Sequence, residues 1–212
     1  MLAELLAHPG VREECALRSR FGFMAFHGGS LEEMTDVIAA AAAERCGASY
    51  YGLLQPPELQ WHIPSHKLSP ADAPIMAAFI EHVDVVVTVH GFGRQTMFTS
   101  LLLGGRNREL ADHLGPHLRR HLPAYDIRCD LETIPSDLRG QHVANPVNLP
   151  RQQGVQIELP PRVRGSSPMW WDWEGPGLTP HTEALVTALA EAATAWPLDP
   201  ESVDRPPAPA HP

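Results

Sequence analysis

Histidine and glutamate residues occur where apolar stretches of this chain end. His27 follows the run FGFMAF and Glu32 comes five residues later, while His90 follows the run VVVTV. Two imidazoles and one carboxylate are a recurring ligand set for catalytic zinc, which leaves a fourth coordination position for water. The pattern therefore predicts a Zn²⁺ site formed by His27, Glu32 and His90. The alternative for each histidine taken alone is a hydrogen-bonded turn residue.

A second carboxylate, Glu158, lies in the segment GVQIEL at 154–159. The alternation of apolar and polar residues places Glu158 and Gln156 on the same face of a strand. A carboxylate in a water-poor cleft beside zinc can act as a general base, which takes a proton from the zinc-activated water and passes it to the leaving amine. We therefore predict that Glu158 is the catalytic residue. The alternative is a solvent-facing strand position.

The elements that must position these residues alternate between strands and helices. FGFMAF and VDVVVTV are continuous apolar runs of the kind found in buried parallel strands, and both stop at a His-Gly step. The alternation predicts a single-domain α/β fold with a mixed, mostly parallel sheet flanked by helices. In open α/β sheets, ligands bind at the carboxyl ends of the strands. The predicted strands are 21–26, 49–54, 83–89, 97–103, 125–129 and 154–159, and the predicted helices are 31–45, 71–82, 106–121 and 180–195.

The start of the first predicted helix bears directly on Glu32. Ser30 and Glu33 have the spacing of a capping box, in which the hydroxyl and the carboxylate each accept a hydrogen bond from a backbone N–H at the helix start. This interpretation gives Glu33 a structural role. It leaves Glu32 free to point back toward His27.

The other histidines of the chain, which has twelve, include a helical series. His113, His117 and His121 are each four residues apart in a predicted helix, so they share one face. No HExxH glutamate accompanies the first pair, which argues against a metal site there. We expect the three imidazoles to form a solvated face.

Composition excludes several classes of function. A formal net charge of −9 argues against nucleic-acid binding, which requires clustered Lys and Arg. No apolar run approaches the roughly 18 residues that span a bilayer, and the N-terminus lacks a secretory signal pattern, so we expect a soluble, cytoplasmic protein without membrane contact. Three cysteines without a CxxC pair suggest neither disulfides nor a cysteine zinc site. We expect a monomer, with a domain at 1–196 and a flexible, proline-rich tail at 197–212.

Six short motifs stand in a specific order along the chain. They are HGGSLEEMTDVIAAA at 27–41, SYYGLL at 49–54, WHIPSH at 61–66, VTVHG at 87–91, LLLGGRNREL at 101–110 and GVQIELPPRVR at 154–164. Together they resemble the poly-γ-glutamate hydrolase family, phage-type zinc peptidases with a fold related to the zinc carboxypeptidases. The resemblance implies zinc ligands at His27, Glu32 and His90 and a general base at Glu158. If the protein is related to phage enzymes, lysis would release it from the cytoplasm.

The resemblance also implies a pocket that holds the carboxylate groups of an acidic substrate. Two segments depart from the family pattern, namely HIPSHKLSP with its Pro64 and the tryptophan cluster at 170–173. The shape of the pocket is therefore less closely specified than the metal site. The residues implied for substrate binding are His62, Arg106, Asn107, Asn148, Arg162 and Arg164.

Residues and resemblance together predict a zinc metallohydrolase that cleaves the γ-glutamyl amide bonds of poly-γ-glutamate. One alternative is a zinc deacylase of N-acyl or N-formyl acidic amino acids, because the same metal chemistry serves both reactions. A second alternative is a noncatalytic binding protein that keeps the fold and contacts partners through its tryptophan-rich loop and its tail.

Overall fold

The central strands of the chain are its continuous apolar runs, and they form the middle of one mixed sheet. The computed structural model describes residues 1–198. Across the sheet the strand order is β1-β3-β2-β4-β7-β5-β6. The four central strands run parallel, whereas β1 is antiparallel to β3 and β5 is antiparallel to β7. The strands are β1 (Arg12–Ala16), β2 (Phe21–Gly29), β3 (Ser49–Gln55), β4 (Val85–Gly91), β5 (Ser100–Leu103), β6 (Asp126–Arg128) and β7 (Gly154–Leu159).

Helices cover both faces of the sheet, which explains why the central strands are apolar on both sides. The helices α2, α4 and α6 pack on one face against Phe23, Val87 and Ile157. On the opposite face, α1 and α3 pack against Met24 and Phe26. The helices are α1 (Leu2–Leu6), α2 (Thr35–Cys46), α3 (Pro74–His82), α4 (Arg108–His121), α5 (Pro161–Arg164) and α6 (Pro180–Ala195).

The predicted α/β class, with one domain and a mixed sheet between helices, is confirmed. All six predicted strands and all four predicted helices occur near their expected positions. The short elements α1, α5 and β1 were not predicted. The sequence REECA of β1 has neither a clear apolar alternation nor a buried face, and it lies at a sheet edge where charged residues discourage pairing with another chain.

The predicted capping box at the start of the first helix is wrong. The helix begins at Thr35, and its N-cap is Met34 in a left-handed conformation with φ 71°. Ser30 instead donates its hydroxyl hydrogen bond to the carbonyl oxygen of Pro56 at 2.6 Å. The segment before α2 is therefore an irregular turn tied to the end of β3, and it leaves Glu32 outside the helix.

The solvated histidine face predicted for α4 is also wrong. His113 hydrogen-bonds through Nε2 to the carbonyl oxygen of Ala192 in α6 at 2.9 Å, and its ring packs on Trp196. His121 lies 2.7 Å from a carboxylate oxygen of Glu191, also in α6. This half-buried face of α4 is therefore part of the contact between α4 and α6.

Within the part of the chain that the structure describes, no helix has both the length and the apolar character needed to cross a membrane. The predicted tail at 197–212 lies outside the described residues from position 199 onward. The division into domain and tail therefore stays a prediction.

Candidate active site

The predicted ligand and base residues lie together at one edge of the sheet. β2, β4 and β7 are parallel neighbours, so their carboxyl ends meet at the same edge. In the register of β4 and β7, His90 is paired directly with Glu158. Both side chains lie on the face opposite α2, α4 and α6, because Val89 and Ile157, their neighbours along the strands, pack on those helices.

A bulge in β2 brings His27 to this face as well. Ala25 is paired with Gly52 and Gly28 with Leu54, so β2 contains one more residue than β3 between these pairs. Two consecutive side chains, Phe26 and His27, then reach the ring of His90, at centroid distances of 4.7 and 5.0 Å. A regular strand would have sent them to opposite faces of the sheet.

The turn after β2 carries Glu32 back over the ends of the strands. Gly29 adopts φ +69°, and a Cβ atom there would lie 2.3 Å from the carbonyl oxygen of Gln55. The backbone N–H of Glu32 donates to the carbonyl oxygen of His27 at 3.0 Å. Thr35, the first residue of α2, donates its hydroxyl to the carbonyl oxygen of Glu32 at 2.7 Å. Backbone contacts at both ends therefore position this carboxylate.

The carboxylate of Glu32 lies between the imidazoles of His27 and His90. Its Oε1 is 2.9 Å from Nδ1 of His27, and its Oε2 is 3.2 Å from Nδ1 of His90. The backbone N–H of Gly91 donates to Oε2 at 2.8 Å. Burial by itself raises the pKa of Glu32, but the two adjacent imidazoles outweigh burial and hold this pKa well below its usual range. The group is therefore an ionised, partly buried carboxylate.

The hydrogen bonds of His27 leave one of its nitrogens available to a cation. Nε2 of His27 is 2.9 Å from the carbonyl oxygen of Ile63, which can only accept, so Nε2 carries the hydrogen. In the neutral ring, Nδ1 then points a lone pair at the Glu32 carboxylate. Two such electron-rich atoms 2.9 Å apart require a proton or a cation beside them. Backbone carbonyls orient metal-binding imidazoles in this way.

His90 and His62 both offer a further nitrogen. The ring of His90 is only 3% exposed, and its Nε2 has no hydrogen-bond partner among the described residues. By ligand-atom distance, however, the group that could hold a metal is His27, Glu32 and His62, with all three atoms within 4.8 Å of one another. His62 is exposed, whereas a buried imidazole without a full set of partners is costly unless another group binds it. Because Nδ1 of the buried His90 also lies 3.2 Å from Oε2 of Glu32, we favour His90 over His62 as the third ligand.

Glu158 is held by a chain of two amides. Nε2 of Gln156 donates to Oε1 of Glu158 at 2.8 Å, and Nδ2 of Asn145 donates to Oε1 of Gln156 at 2.9 Å. All three side chains are buried. Burial raises the pKa of Glu158 to about 7, against the opposing effect of the nearby His90. The carboxyl group can therefore both accept and release a proton near neutral pH.

These side chains form the floor of a cleft of about 720 Å³. The loop after β3 supplies one wall, with His62, Pro64 and His66. The opposite wall comes from the segment between β6 and β7, including Asp137 and His142. The cleft gives a ligand access to the site from solvent.

Of the six residues predicted to bind substrate, His62 lines the cleft and the other five do not. Asn107 accepts from the backbone N–H of Leu110 and so caps α4. Asn148 is buried and accepts from the backbone N–H of Arg106, whose own side chain is exposed. We therefore find supporting contacts for the two asparagines rather than contacts with the cleft.

Neither predicted arginine lines the cleft, but Arg164 lines a smaller neighbouring pocket that also includes Glu32 and Gly91. Arg164 is buried, donates through Nε to the carbonyl oxygen of Leu159 at 3.1 Å, and packs against Gly91 beside His90. Arg162 lies over the ring of Tyr125 at 5.8 Å. Trp170 donates to the carbonyl oxygen of Arg162 at 2.8 Å, so part of the tryptophan cluster covers this region and not the cleft.

Sequence reasoning missed several residues that shape the cleft. Asn145 and Gln156 have ordinary amide side chains that suggest no chemistry by themselves. The alternation of β7 placed Gln156 on the same face as Glu158, but no sequence pattern indicated Asn145. His66 and His142 are separated by more than seventy positions, and no local pattern connects them. Their common location follows from the tertiary structure.

Comparison with known proteins gives one family and several similar structures. The sequence model of the family described as poly-gamma-glutamate hydrolase matches residues 3–169. A comparison with curated proteins finds no significant match. Among solved structures, a bacteriophage poly-gamma-glutamate hydrolase is 18% identical with a TM-score of 0.71, covering 86% of this chain and 87% of that chain.

Two further structures are similar. YNDL in an apo, zinc-free form is 16% identical with a TM-score of 0.72, covering 88% of this chain and 90% of that chain. A carboxypeptidase-like protein of Burkholderia mallei is 10% identical with a TM-score of 0.53, covering 92% of this chain and 66% of that chain. At these identities the likeness concerns the fold alone, and it confirms the predicted carboxypeptidase-like fold.

Proposed function

The chain belongs to the poly-gamma-glutamate hydrolase family, and from this premise we propose that it is a zinc-dependent amide hydrolase that cleaves γ-glutamyl bonds of poly-γ-glutamate. The observation that carries the proposal is the Glu32 carboxylate lying between two buried imidazoles at the floor of a cleft, with Glu158 paired beside His90. Membership of the family also confirms the prediction of a hydrolase.

We assign His27, Glu32 and His90 as the residues that would hold the zinc ion. The donor types fit the metal, because two imidazoles and one carboxylate are a recurring ligand set for catalytic zinc. Nδ1 of His27 lies 2.9 Å from one oxygen of the Glu32 carboxylate, and Nδ1 of His90 lies 3.2 Å from the other. When bound, zinc supplies a Lewis acid that polarises a carbonyl group and lowers the pKa of water.

Glu158 is assigned the proton transfers. Its carboxylate takes a proton from a water molecule in the cleft and later delivers that proton to the nitrogen of the leaving amine. Gln156 binds one carboxylate oxygen and leaves the other free for this exchange. The pKa of about 7, raised by burial, suits a group that must work in both directions.

The first test compares the wild-type protein with Glu158→Gln, both loaded with zinc and incubated with poly-γ-glutamate. Size-exclusion chromatography should show shortened chains with the wild type, whereas kcat of the variant should fall on the order of 1,000-fold, because the amide cannot accept the proton. Metal analysis should find zinc retained in the variant. Retained turnover in Glu158→Gln would remove this residue from the mechanism.

A matched control is Glu33→Gln, the same chemical change at an exposed position outside the cleft. It should leave kcat unchanged. A parallel incubation with N-acyl and N-formyl glutamate identifies the deacylase alternative: release of the free amino acid without any shortening of the polymer would contradict the proposed substrate.

A further inference from the structure

The described residues that line the cleft include no lysine and no arginine. Poly-γ-glutamate, however, carries one free α-carboxylate per residue. Apart from a metal ion, the side chains of this lining that can carry a positive charge are therefore imidazoles, beside neutral donors such as Ser65, Ser136 and Gln141. Five histidines line the cleft, namely His27, His62, His66, His90 and His142.

His66 and His142 lie outside the metal and base assignments but next to each other. Their ring centroids are 4.9 Å apart with an angle of 41° between the ring planes. They come from opposite walls, one from the loop after β3 and the other from the segment before β7. Both side chains are exposed, so a ligand can reach them without any rearrangement of the core.

The tautomer of His142 is set by the backbone. The N–H of Ala144 donates to Nδ1 of His142 at 3.1 Å, which uses the lone pair of that nitrogen. The hydrogen of the ring is then on Nε2, which is a hydrogen-bond donor even when the imidazole is neutral. His142 can therefore donate to a carboxylate without first gaining a proton.

The loops that carry both rings are held before any ligand arrives. Asn148 is buried and donates to the carbonyl oxygens of Gly140 and His142 at 2.7 and 2.9 Å. His66 lies in a 3-10 turn between Ile63 and Leu68, two fully buried side chains. A preorganised site loses less conformational entropy on binding than a flexible one.

Charge on the same wall does not oppose an anion. Asp137 lines the cleft, but its carboxylate forms an ion pair with the guanidinium of Arg94. The pair is exposed and contributes little binding energy of its own. It does compensate the negative charge nearest to this part of the wall.

We propose that His66 and His142 form a subsite that binds an α-carboxylate of the γ-glutamyl chain. This inference rests on the proposed function and deepens it, since it identifies the chemical group by which the cleft would recognise an acidic polymer. The exposed imidazoles at the rim, rather than arginines, would provide this recognition.

Binding can be measured without turnover in zinc-loaded Glu158→Gln protein. Isothermal titration would use a short γ-linked glutamate oligomer and an analogue whose α-carboxylates are carboxamides. In this background, His142→Phe and His66→Phe should each weaken binding of the free acid on the order of tenfold, the effect of losing one hydrogen bond to a charged group. Binding of the carboxamide analogue should change by less than about twofold.

Two further variants control the result. His8→Phe makes the same change far from the cleft and should alter neither affinity, while His142→Gln retains an N–H donor and should recover part of the lost affinity. Equal affinities for the free acid in the parent, His66→Phe and His142→Phe proteins would overturn the subsite.

The two proposals fail in different ways. Hydrolysis of poly-γ-glutamate by the wild type, with binding that is indifferent to both histidines, overturns the subsite and leaves the proposed function in place. Histidine-dependent binding of the oligomer without hydrolysis by the wild type overturns the proposed function and supports the subsite.

Discussion

Two groups of histidines in this molecule meet different partners. At the sheet edge, His27 and His90 lie on either side of the partly buried carboxylate of Glu32, and Nε2 of His90 has no partner among the described residues. Between α4 and α6, His113 bonds to a backbone carbonyl and His121 to a carboxylate exposed to solvent. In the first group two imidazoles converge on one carboxylate, whereas in the second His113 and His121 each contact a different residue of α6.

A metal site requires histidine side chains that point toward the same position in space. The number of histidines close together in the sequence is less important. Parallel strands bring residues from distant parts of the chain to one edge, so their side chains point toward a common volume. Histidines at i and i+4 on a helix follow each other along its axis and meet the neighbouring helix one at a time. The same residue type therefore has different chemistry in the two places.

The largest expected effect is loss of metal when a ligand at the sheet edge is removed. His27→Ala and His90→Ala should each weaken zinc retention by more than about 100-fold, because even residues that only support a ligand cost 10 to 100-fold. Activity should fall to background in both. Zinc content after dialysis against metal-free buffer, measured by plasma mass spectrometry, checks this prediction.

Two histidine variants sharpen the metal prediction. His117→Ala changes the helix contact and should retain zinc, which would separate the two groups directly. His62→Ala should also retain zinc if His90 is the third ligand. Loss of zinc in His62→Ala with retention in His90→Ala would instead assign the ligand role to His62, as the 4.8 Å group suggests.

A smaller loss of activity is expected when the amide of Gln156, which donates a hydrogen bond to Glu158, is removed. Gln156→Leu removes the donor to Oε1 of Glu158, so the carboxylate is no longer held in one orientation. We expect kcat to fall by about 10 to 100-fold with little change in KM, because misplacement of a reacting group affects the chemical step. Steady-state kinetics on a γ-glutamyl oligomer would measure both constants.

Two controls show whether this effect is one of orientation. Gln156→Glu keeps the shape but replaces the donor with an acceptor, so it should not restore kcat. Gln152→Leu, on the loop before β7, should behave as the wild type, since its N–H donates to the carbonyl oxygen of Asp84 and its carbonyl oxygen accepts from Asn107, and neither contact uses its side chain. Normal kcat in Gln156→Leu would show that Glu158 does not depend on this amide.

The third prediction concerns stability and compares two glycines with nearly equal backbone angles. Gly29 and Gly47 have φ +69° and +70°, but a Cβ at Gly29 would meet the backbone of Gln55 at 2.3 Å, whereas Gly47 faces open space. Gly47→Ala should lower the free energy of unfolding by about 1 to 2 kcal/mol. Gly29→Ala should lower it by about 3 kcal/mol or more, because the turn that carries Glu32 must shift.

Urea denaturation of the two variants, monitored by circular dichroism, measures this difference. Zinc retention should decrease in Gly29→Ala and stay normal in Gly47→Ala. Similar unfolding free energies and similar zinc contents would show that the close contact with Gln55 does not position Glu32.

Much of the fold could be predicted from the chain because its central strands are long apolar runs. The six predicted strands and four helices match the structure closely, and β7 has the predicted bounds. The start of α2 could not be predicted, because Ser30 bonds to Pro56 and not to its own helix. The histidine face of α4 was wrong for the same reason, since its partners lie in α6, about eighty positions later in the chain.

The six residues predicted to bind substrate also show that a sequence can mark a position without revealing its partner. The family resemblance that implied Asn107 and Asn148 does mark positions with specific contacts, but those contacts cap a helix and tie a loop. The residue type of a hydrogen-bonding side chain does not show whether its partner is a ligand or a backbone group. Only the distances between distant segments separate the two cases.

What the amino-acid sequence by itself determined is the α/β class and the residue types that end its central strands, because both depend on local patterns of apolar and polar residues. The tertiary structure decided which of these residues meet. A one-residue bulge in β2 turns His27 toward His90, and the register of β4 and β7 pairs His90 with Glu158. Such contacts depend on packing between segments far apart in the chain, which no local periodicity encodes.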